Sequence, residues 1–169
     1  MKDTGIARRV DQLGRIVLPM EIRKKLKIVE GTLLNLYMED DGTIKLIKYS
    51  PLLNFKEYAE DILKEFDACT YLICDDNSII FANKSFKNLV GGKVENAGLV
   101  DISDFKVIEN EFYLNENFTS NFKYHYIFTV KKDGDVFGYI IFASENELSE
   151  EVLGECKFIR KYISSKLWI

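Results

Sequence analysis

Eight basic side chains crowd the first 28 residues: Lys2, Arg8, Arg9, Arg15, Arg23, Lys24, Lys25 and Lys27, against the acids Asp3, Asp11 and Glu21. The local net charge is +5 on a chain whose formal net charge is −4. The chemistry open to such a group is electrostatic: it binds phosphate rather than making or breaking bonds. A compact basic surface on an acidic protein suits a polyanion such as DNA. A solvated charged face would carry the same residues without a partner. No catalytic constellation accompanies the cluster. The single histidine, His125, has no nucleophile placed beside it by the sequence, so the expectation is a protein that is not an enzyme.

Short elements must position these charges. Ile6, Arg8 and Val10 alternate with Ala7 and Arg9, as in a strand with two faces. Asp11-Gln12-Leu13-Gly14 has Asp to open a turn and Gly to close it. Arg15-Ile16-Val17-Leu18 is strand-prone, and Pro19 suits the first turn of a helix. Ile22 and Leu26 lie four apart and are expected to enter a core, leaving Arg23, Lys24 and Lys27 outside. Leu34-Leu36-Met38 and Ile44-Leu46 flank Glu39-Asp40-Asp41-Gly42-Thr43, whose Asp-Gly pair predicts a hairpin. Some fifty residues of such pieces bury little by themselves. An obligate dimer with interleaved strands is therefore expected.

The charge pattern changes sign near Pro51, one of two prolines in the chain. Residues 1–50 hold ten basic and seven acidic side chains, and the remainder 13 and 20. Hydropathic periodicity changes at the same place, so two domains are expected, 1–52 and 53–169. The segment Lys48-Tyr49-Ser50-Pro51-Leu52-Leu53-Asn54 is expected to be a stiff joint, because proline restricts its own φ and the residue before it.

The motif Thr4-Gly5-Ile6…Arg8-Arg9-Val10-Asp11…Leu13-Gly14-Arg15-Ile16-Val17-Leu18-Pro19…Glu21-Ile22-Arg23-Lys24…Leu26 closely resembles the N-terminal DNA-binding domain of AbrB-type transition-state regulators. The resemblance runs through residues 2–50 and includes Leu46…Lys48-Tyr49-Ser50-Pro51. It implies a swapped-hairpin β-barrel dimer that binds double-stranded DNA and regulates transcription of transition-state or sporulation genes. It also implies contacts from Arg8, Arg9, Arg15, Arg23 and Lys24. Met20 departs from the basic residue common after the proline, and Lys24 stands where arginine is usual. Lysine lacks the bidentate fork, so a contact at 24 suits a phosphate rather than a base edge. Arg8 shares a face with Ile6 and Val10, and a structural role for it stays open.

In the second half, Phe55, Tyr58, Ala59, Ile62, Leu63 and Phe66 predict a helix. Residues 68–74 and 78–82 predict strands, and 83–90 a short helix capped by Asn83. Residues 93–104 are left unassigned. Strands are expected over 105–114, 122–130 and 136–142, with Asp133-Gly134 turning the chain. Leu148, Val152, Cys156, Ile159, Ile163 and Leu167 stripe a last helix. The fold class is thus α+β, with the barrel dimer followed by a layout that resembles a GAF- or PAS-like sensor: an antiparallel sheet flanked by helices. Tyr71, Phe81, Tyr124, Tyr126 and Phe128 are candidate lining for a small-molecule pocket, though core packing is the better explanation of each. The terminal helices could pair two dimers into a tetramer through a four-helix bundle.

Cys69, Cys74 and Cys156 show no CxxC spacing and fit small buried hydrophobes in a reducing compartment. With one histidine they offer no metal site, and no cofactor motif is present, so neither is expected. No apolar run is long enough to span a membrane and no signal segment opens the chain, so cytoplasmic placement is expected. Two other classes stay open. An antitoxin would follow the same N-terminal domain with a disordered partner-binding tail. A GAF-type thiol reductase would work through Cys69 and Cys74.

Overall fold

The computed structural model describes residues 5–55, 63–95, 97–99 and 101–167. The chain divides into two compact units, 1–49 and 50–169.

The first unit contains one short helix, α1 (Met20–Lys25), and a hairpin of β1 (Leu34–Met38) and β2 (Ile44–Lys48). The hairpin register runs from Leu34 opposite Lys48 to Met38 opposite Ile44. Its loop is closed by Glu39 N–H on the Thr43 carbonyl at 2.9 Å and Gly42 N–H on the Glu39 carbonyl at 3.0 Å. Gly42 supplies a φ of +83°, which its lack of a Cβ permits.

Residues 6–10 and 15–18, expected as strands, are not strands within one chain. The physical reason is that no ladder of backbone hydrogen bonds forms along them. Asp11 N–H bonds the Arg15 carbonyl at 3.0 Å across the turn, and no strand extends from that bond among the described residues. Nor do Ile22 and Leu26 enter a core: Ile22 is half-buried and Leu26 is 46% exposed. Among the described residues of this unit only Pro19 is buried. Val10, Leu13, Val17, Val29, Leu36 and Met38 are each more than half exposed.

The second unit has an interior on both sides of a sheet. Its five strands run antiparallel in the order β4-β3-β7-β6-β5, with β3 Thr70–Cys74, β4 Ile79–Ala82, β5 Phe105–Glu109, β6 Tyr124–Lys132 and β7 Asp135–Ser144. Alternation sends Tyr71, Ile73, Tyr126, Phe128, Ile140 and Phe142 to one face, against the terminal helix α2 (Glu150–Lys166) and residues 51–55, which are helical. Leu72, Cys74, Ile127, Ile141 and Ala143 pack on the other face, against Phe86, Val94, Leu99 and Ile102. Both faces are covered, so the central strands read as continuous apolar runs rather than alternating ones.

Local chemistry sets the connections. Asp133 and Gly134 both take positive φ, 52° and 94°, as a two-residue hairpin loop between Lys132 and Asp135 requires. Ser149 caps α2, its side chain accepting from Val152 N–H at 3.3 Å. Cys156, Ile159 and Ile163 fall on the buried side of that helix. Pro51 begins the earlier helical stretch, as suits a residue without an N–H. Of the residues expected on that helix, Tyr58, Ala59 and Ile62 lie outside the described residues, while Phe55, Leu63 and Phe66 are buried.

Two expectations change here. The single strand over 105–114 is two, β5 and Phe112–Asn115, broken at Asn110, which takes a φ of 68°. Phe112–Asn115 pairs instead with Phe118–Ser120. The helix after Asn83 is a 3-10 helix, Lys84–Leu89, and the Asn83 side chain does not cap it. That amide ties β3 down, accepting from Tyr71 N–H at 2.7 Å and donating to the Cys69 carbonyl at 3.2 Å. Among the described residues no helix is long and apolar enough to cross a membrane.

Two measurements check this unit. Gly138 is buried where a Cβ would stand 2.2 Å from the Cys74 carbonyl oxygen, so Gly138→Ala must shift backbone. It should destabilise the unit by at least about 1–3 kcal/mol in denaturant unfolding, and an unchanged midpoint would refute the packing. His125 is fully buried, its Nε2 2.7 Å from Ser120 Oγ, and burial lowers its pKa. The unfolded chain therefore binds the extra proton. Stability should fall as pH drops below about 6.5, the ordinary histidine value. His125→Gln should flatten that slope, and an equal slope in both proteins would contradict it.

Candidate nucleic-acid interface

The basic cluster is organised by two small devices, both local. The first is the turn at 11–15. Asp11 Oδ1 accepts the backbone N–H of Leu13 and of Arg15, each at 2.9 Å, and Asp11 Oδ2 accepts Arg15 Nε at 2.8 Å. Gly14 N–H closes the turn on the Asp11 carbonyl at 3.0 Å, with Gly14 at a φ of +75°. These bonds, the Arg15 backbone N–H foremost, hold the Asp11 carboxyl below the ordinary carboxylate range. The Arg15 side chain remains 70% exposed. One carboxylate thus shapes the turn and orients the arginine, while the terminal nitrogens of the guanidinium stay clear of that ion pair.

The second device ends α1. Pro19 precedes the helix, and Arg23 N–H bonds its carbonyl at 3.0 Å. At the far end Ile28 N–H reaches the Arg23 carbonyl at 2.8 Å and Lys27 N–H the Lys24 carbonyl at 3.2 Å. This is a Schellman closure, and the residue in the left-handed position, usually glycine, is Lys27 at a φ of 51°. The last turn therefore gathers Arg23, Lys24 and Lys25, with Lys27 just beyond, where cations also suit the helix dipole. Arg8 and Arg9 are exposed on the extended stretch before the turn, Arg8 bonding the Ala7 carbonyl at 3.0 Å. All five arginine and lysine candidates are solvent-facing. None is consumed in an apolar core.

The aromatic candidates in the second unit separate. Tyr71 and Phe81 stack, with ring centroids 6.1 Å apart and planes 8° from parallel, and both line a cavity of about 560 Å³. Tyr126 and Phe128 are core residues that do not line it, and Tyr124 is half-buried beside Tyr126. Sequence reasoning missed the polar rim of that cavity: Lys64, Asp67, Lys84 and Lys87. Lys84 and Lys87 share a three-residue spacing, a faint signal, but Lys64 and Asp67 reach the rim only through the fold. Cys69 and Cys74 lie in different cores, on opposite faces of the sheet. Cys74 is fully buried and burial pushes its thiol up, and Cys69 bonds Cys156 instead. All three cysteines are free and buried.

Residues 7–53 match the family of antidote-toxin recognition MazE, bacterial antitoxins. Over a 165-residue alignment taking in 90% of each chain, the protein is 33% identical to stage V sporulation protein T of Bacillus subtilis (strain 168). It is 45% identical over 67 residues to the transition state regulatory protein AbrB of the same organism, covering 38% of this chain and 69% of that one. A third relative there, the putative transition state regulator Abh, is 43% identical over 51 residues, 30% of this chain and 54% of its own.

The left-handed lysine offers a direct check. Lys27→Gly should remove a backbone cost of about 1 kcal/mol and raise the unfolding midpoint of the first unit in calorimetry. A lowered midpoint would show that Lys27 stabilises the closure by some other contact.

Proposed function

The chain belongs to the AbrB-type transition-state regulators, and we propose that it regulates transcription by binding double-stranded DNA in a sequence-dependent way through residues 1–52. One observation carries this reading: the first unit gathers exposed arginines and lysines at a clamped turn and a helix end, yet has no interior of its own. A second copy supplies what is missing. Residues 6–10 and 15–18 of two chains pair as swapped hairpins, the exposed apolar side chains close over one another, and two basic surfaces come together.

The contacts divide by chemistry. Arg15 and Arg23, with planar forks, suit guanine edges, and Arg8 suits the same groove. Lys24 and Arg9 suit phosphates. Asp11 acts through Arg15, fixing where its guanidinium can reach. The relatives named for sporulation and for transition-state control support a role among such genes.

The unit at 53–169 serves as a sensing and oligomerising domain of GAF-like kind. Phe158, 64% exposed on α2 beside Tyr162, supports a bundle in which α2 of different chains pair and join two dimers into a tetramer. The antitoxin reading rests on the same N-terminal match. It requires a disordered tail, and this unit instead holds apolar cores on both sides of its sheet.

DNA affinity should fall with salt at a log–log slope near −3.6, from about four contacts at roughly 0.9 each. Arg15→Ala and Arg23→Ala should each weaken the preferred site by about 1–3 kcal/mol relative to random DNA, whereas Lys24→Ala should weaken both alike. A flat salt response, or a folded Arg23→Ala variant with unchanged binding, would contradict the reading. For assembly, Phe158→Glu should turn a sedimenting tetramer into a dimer. A wild-type chain that sediments as a dimer would remove the bundle.

A further inference from the structure

Two of the three cysteines meet, and the third stands apart. Cys69 immediately precedes β3, and Cys156 lies on the buried side of α2. They are distant in the chain, yet both belong to the core between α2 and the sheet, where the Cys156 thiol donates to the Cys69 sulfur. Cys69 is 5% exposed and follows two exposed residues, Asp67 and Ala68, whereas Cys156 is wholly enclosed. The hydrogen bond between them favours the Cys69 thiolate and, together with burial, keeps the proton on Cys156. Cys74 sits in the core on the opposite face, among Leu72, Ile79 and Tyr139, and burial pushes its thiol up. All three are free thiols here. The pair therefore has what Cys74 lacks: one sulfur near the surface and a second touching it.

We propose that Cys69 and Cys156 close into a reversible disulfide when the protein meets a peroxide, stapling α2 to the start of β3. The Cys69 thiolate attacks one peroxide oxygen. The O–O bond breaks, Cys69 becomes a sulfenic acid, and the departing hydroxide takes up the proton that Cys69 has lost. The Cys156 sulfur then attacks the sulfenic sulfur. An S–S bond forms, the S–O bond breaks, and the hydroxyl leaves with the Cys156 proton as water. The two thiols give up two electrons and the peroxide becomes two waters. A dithiol reductant reverses the step by exchange. In the reduced protein α2 is held by non-covalent contacts, among them Ile159 and Ile163 in the core and Arg160 on Asp104. A bond between points so distant in the chain restricts the unfolded state, so oxidation stabilises the second unit. The proposal goes beyond the DNA-binding and sensing readings and depends on neither.

Hydrogen peroxide added to the full, reduced chain tests it, with the remaining thiols alkylated after unfolding. The reduced chain takes three labels, one per cysteine. The oxidised chain should take a single label, on Cys74, and its peptide map should show Cys69 joined to Cys156. Dithiothreitol should restore all three labels. Cys74→Ser should keep the link and Cys69→Ser should lose it. The linked chain should unfold at a higher denaturant concentration than the reduced one, a shift absent from Cys69→Ser. Three labels retained after peroxide, a link to Cys74 or between chains in place of this one, sulfinic acid without a link, or an unshifted midpoint would overturn the proposal. The wild-type peptide map decides even where a serine variant folds poorly.

Discussion

Apolar side chains need an interior, and the first fifty residues of this chain cannot make one alone. Val10, Leu13, Ile16 and Val17 flank the basic turn and stay more than half exposed, as do Leu36 and Met38 on the hairpin. At about 25 cal/mol per Å² of apolar surface, leaving so many uncovered forfeits the main force that folds a domain. The extended backbone at 6–10 and 15–18 adds the same demand in hydrogen bonds, since unpaired strand groups are templates for another strand. A second copy would meet both demands at once. The basic residues take their arrangement from local bonds: Arg15 from the Asp11 clamp, Arg23 and Lys24 from the Schellman closure.

The second unit is under the opposite regime. Its central strands are buried on both faces, so its fold depends on packing within one chain. That independence lets it serve a different purpose from the first unit. The sheet face toward α2 carries both the aromatic core and the lysine-rimmed cavity, while the outer side of α2 keeps Phe158 in solvent.

What the amino-acid sequence made legible follows from how local each signal is. The β1–β2 hairpin, the Asp133-Gly134 turn and the stripe on α2 are all visible because turn chemistry and helical period act over a few residues. The break at Asn110 left a signal that a single-strand reading of 105–114 passes over: Glu109-Asn110-Glu111 interrupts the apolar pattern, and asparagine tolerates the left-handed region it takes at φ 68°. Asn83 was half legible. It precedes the short helix, as a cap should, but its amide finds better partners on β3. In the basic unit the charges were plain, while the means of placing them were not. Lys27 occupies a position that glycine usually takes, so no residue type announced the end of α1. The expected strands around the turn show the remaining limit. Their alternation was readable, but among the described residues no segment of the same chain pairs with them.

Hydrogen–deuterium exchange of the full chain across a dilution series puts the completed first unit to its most direct test. In the assembled protein the amides of residues 6–10 and 15–18 should be strongly protected. Dilution should remove that protection together with the larger species seen by sedimentation, while the amides of β3 and β7 in the second unit stay protected. Amides at 6–10 and 15–18 that exchange as fast as an unstructured chain at every concentration would mean that no second copy completes these strands. The account of the basic surface would then fail with it.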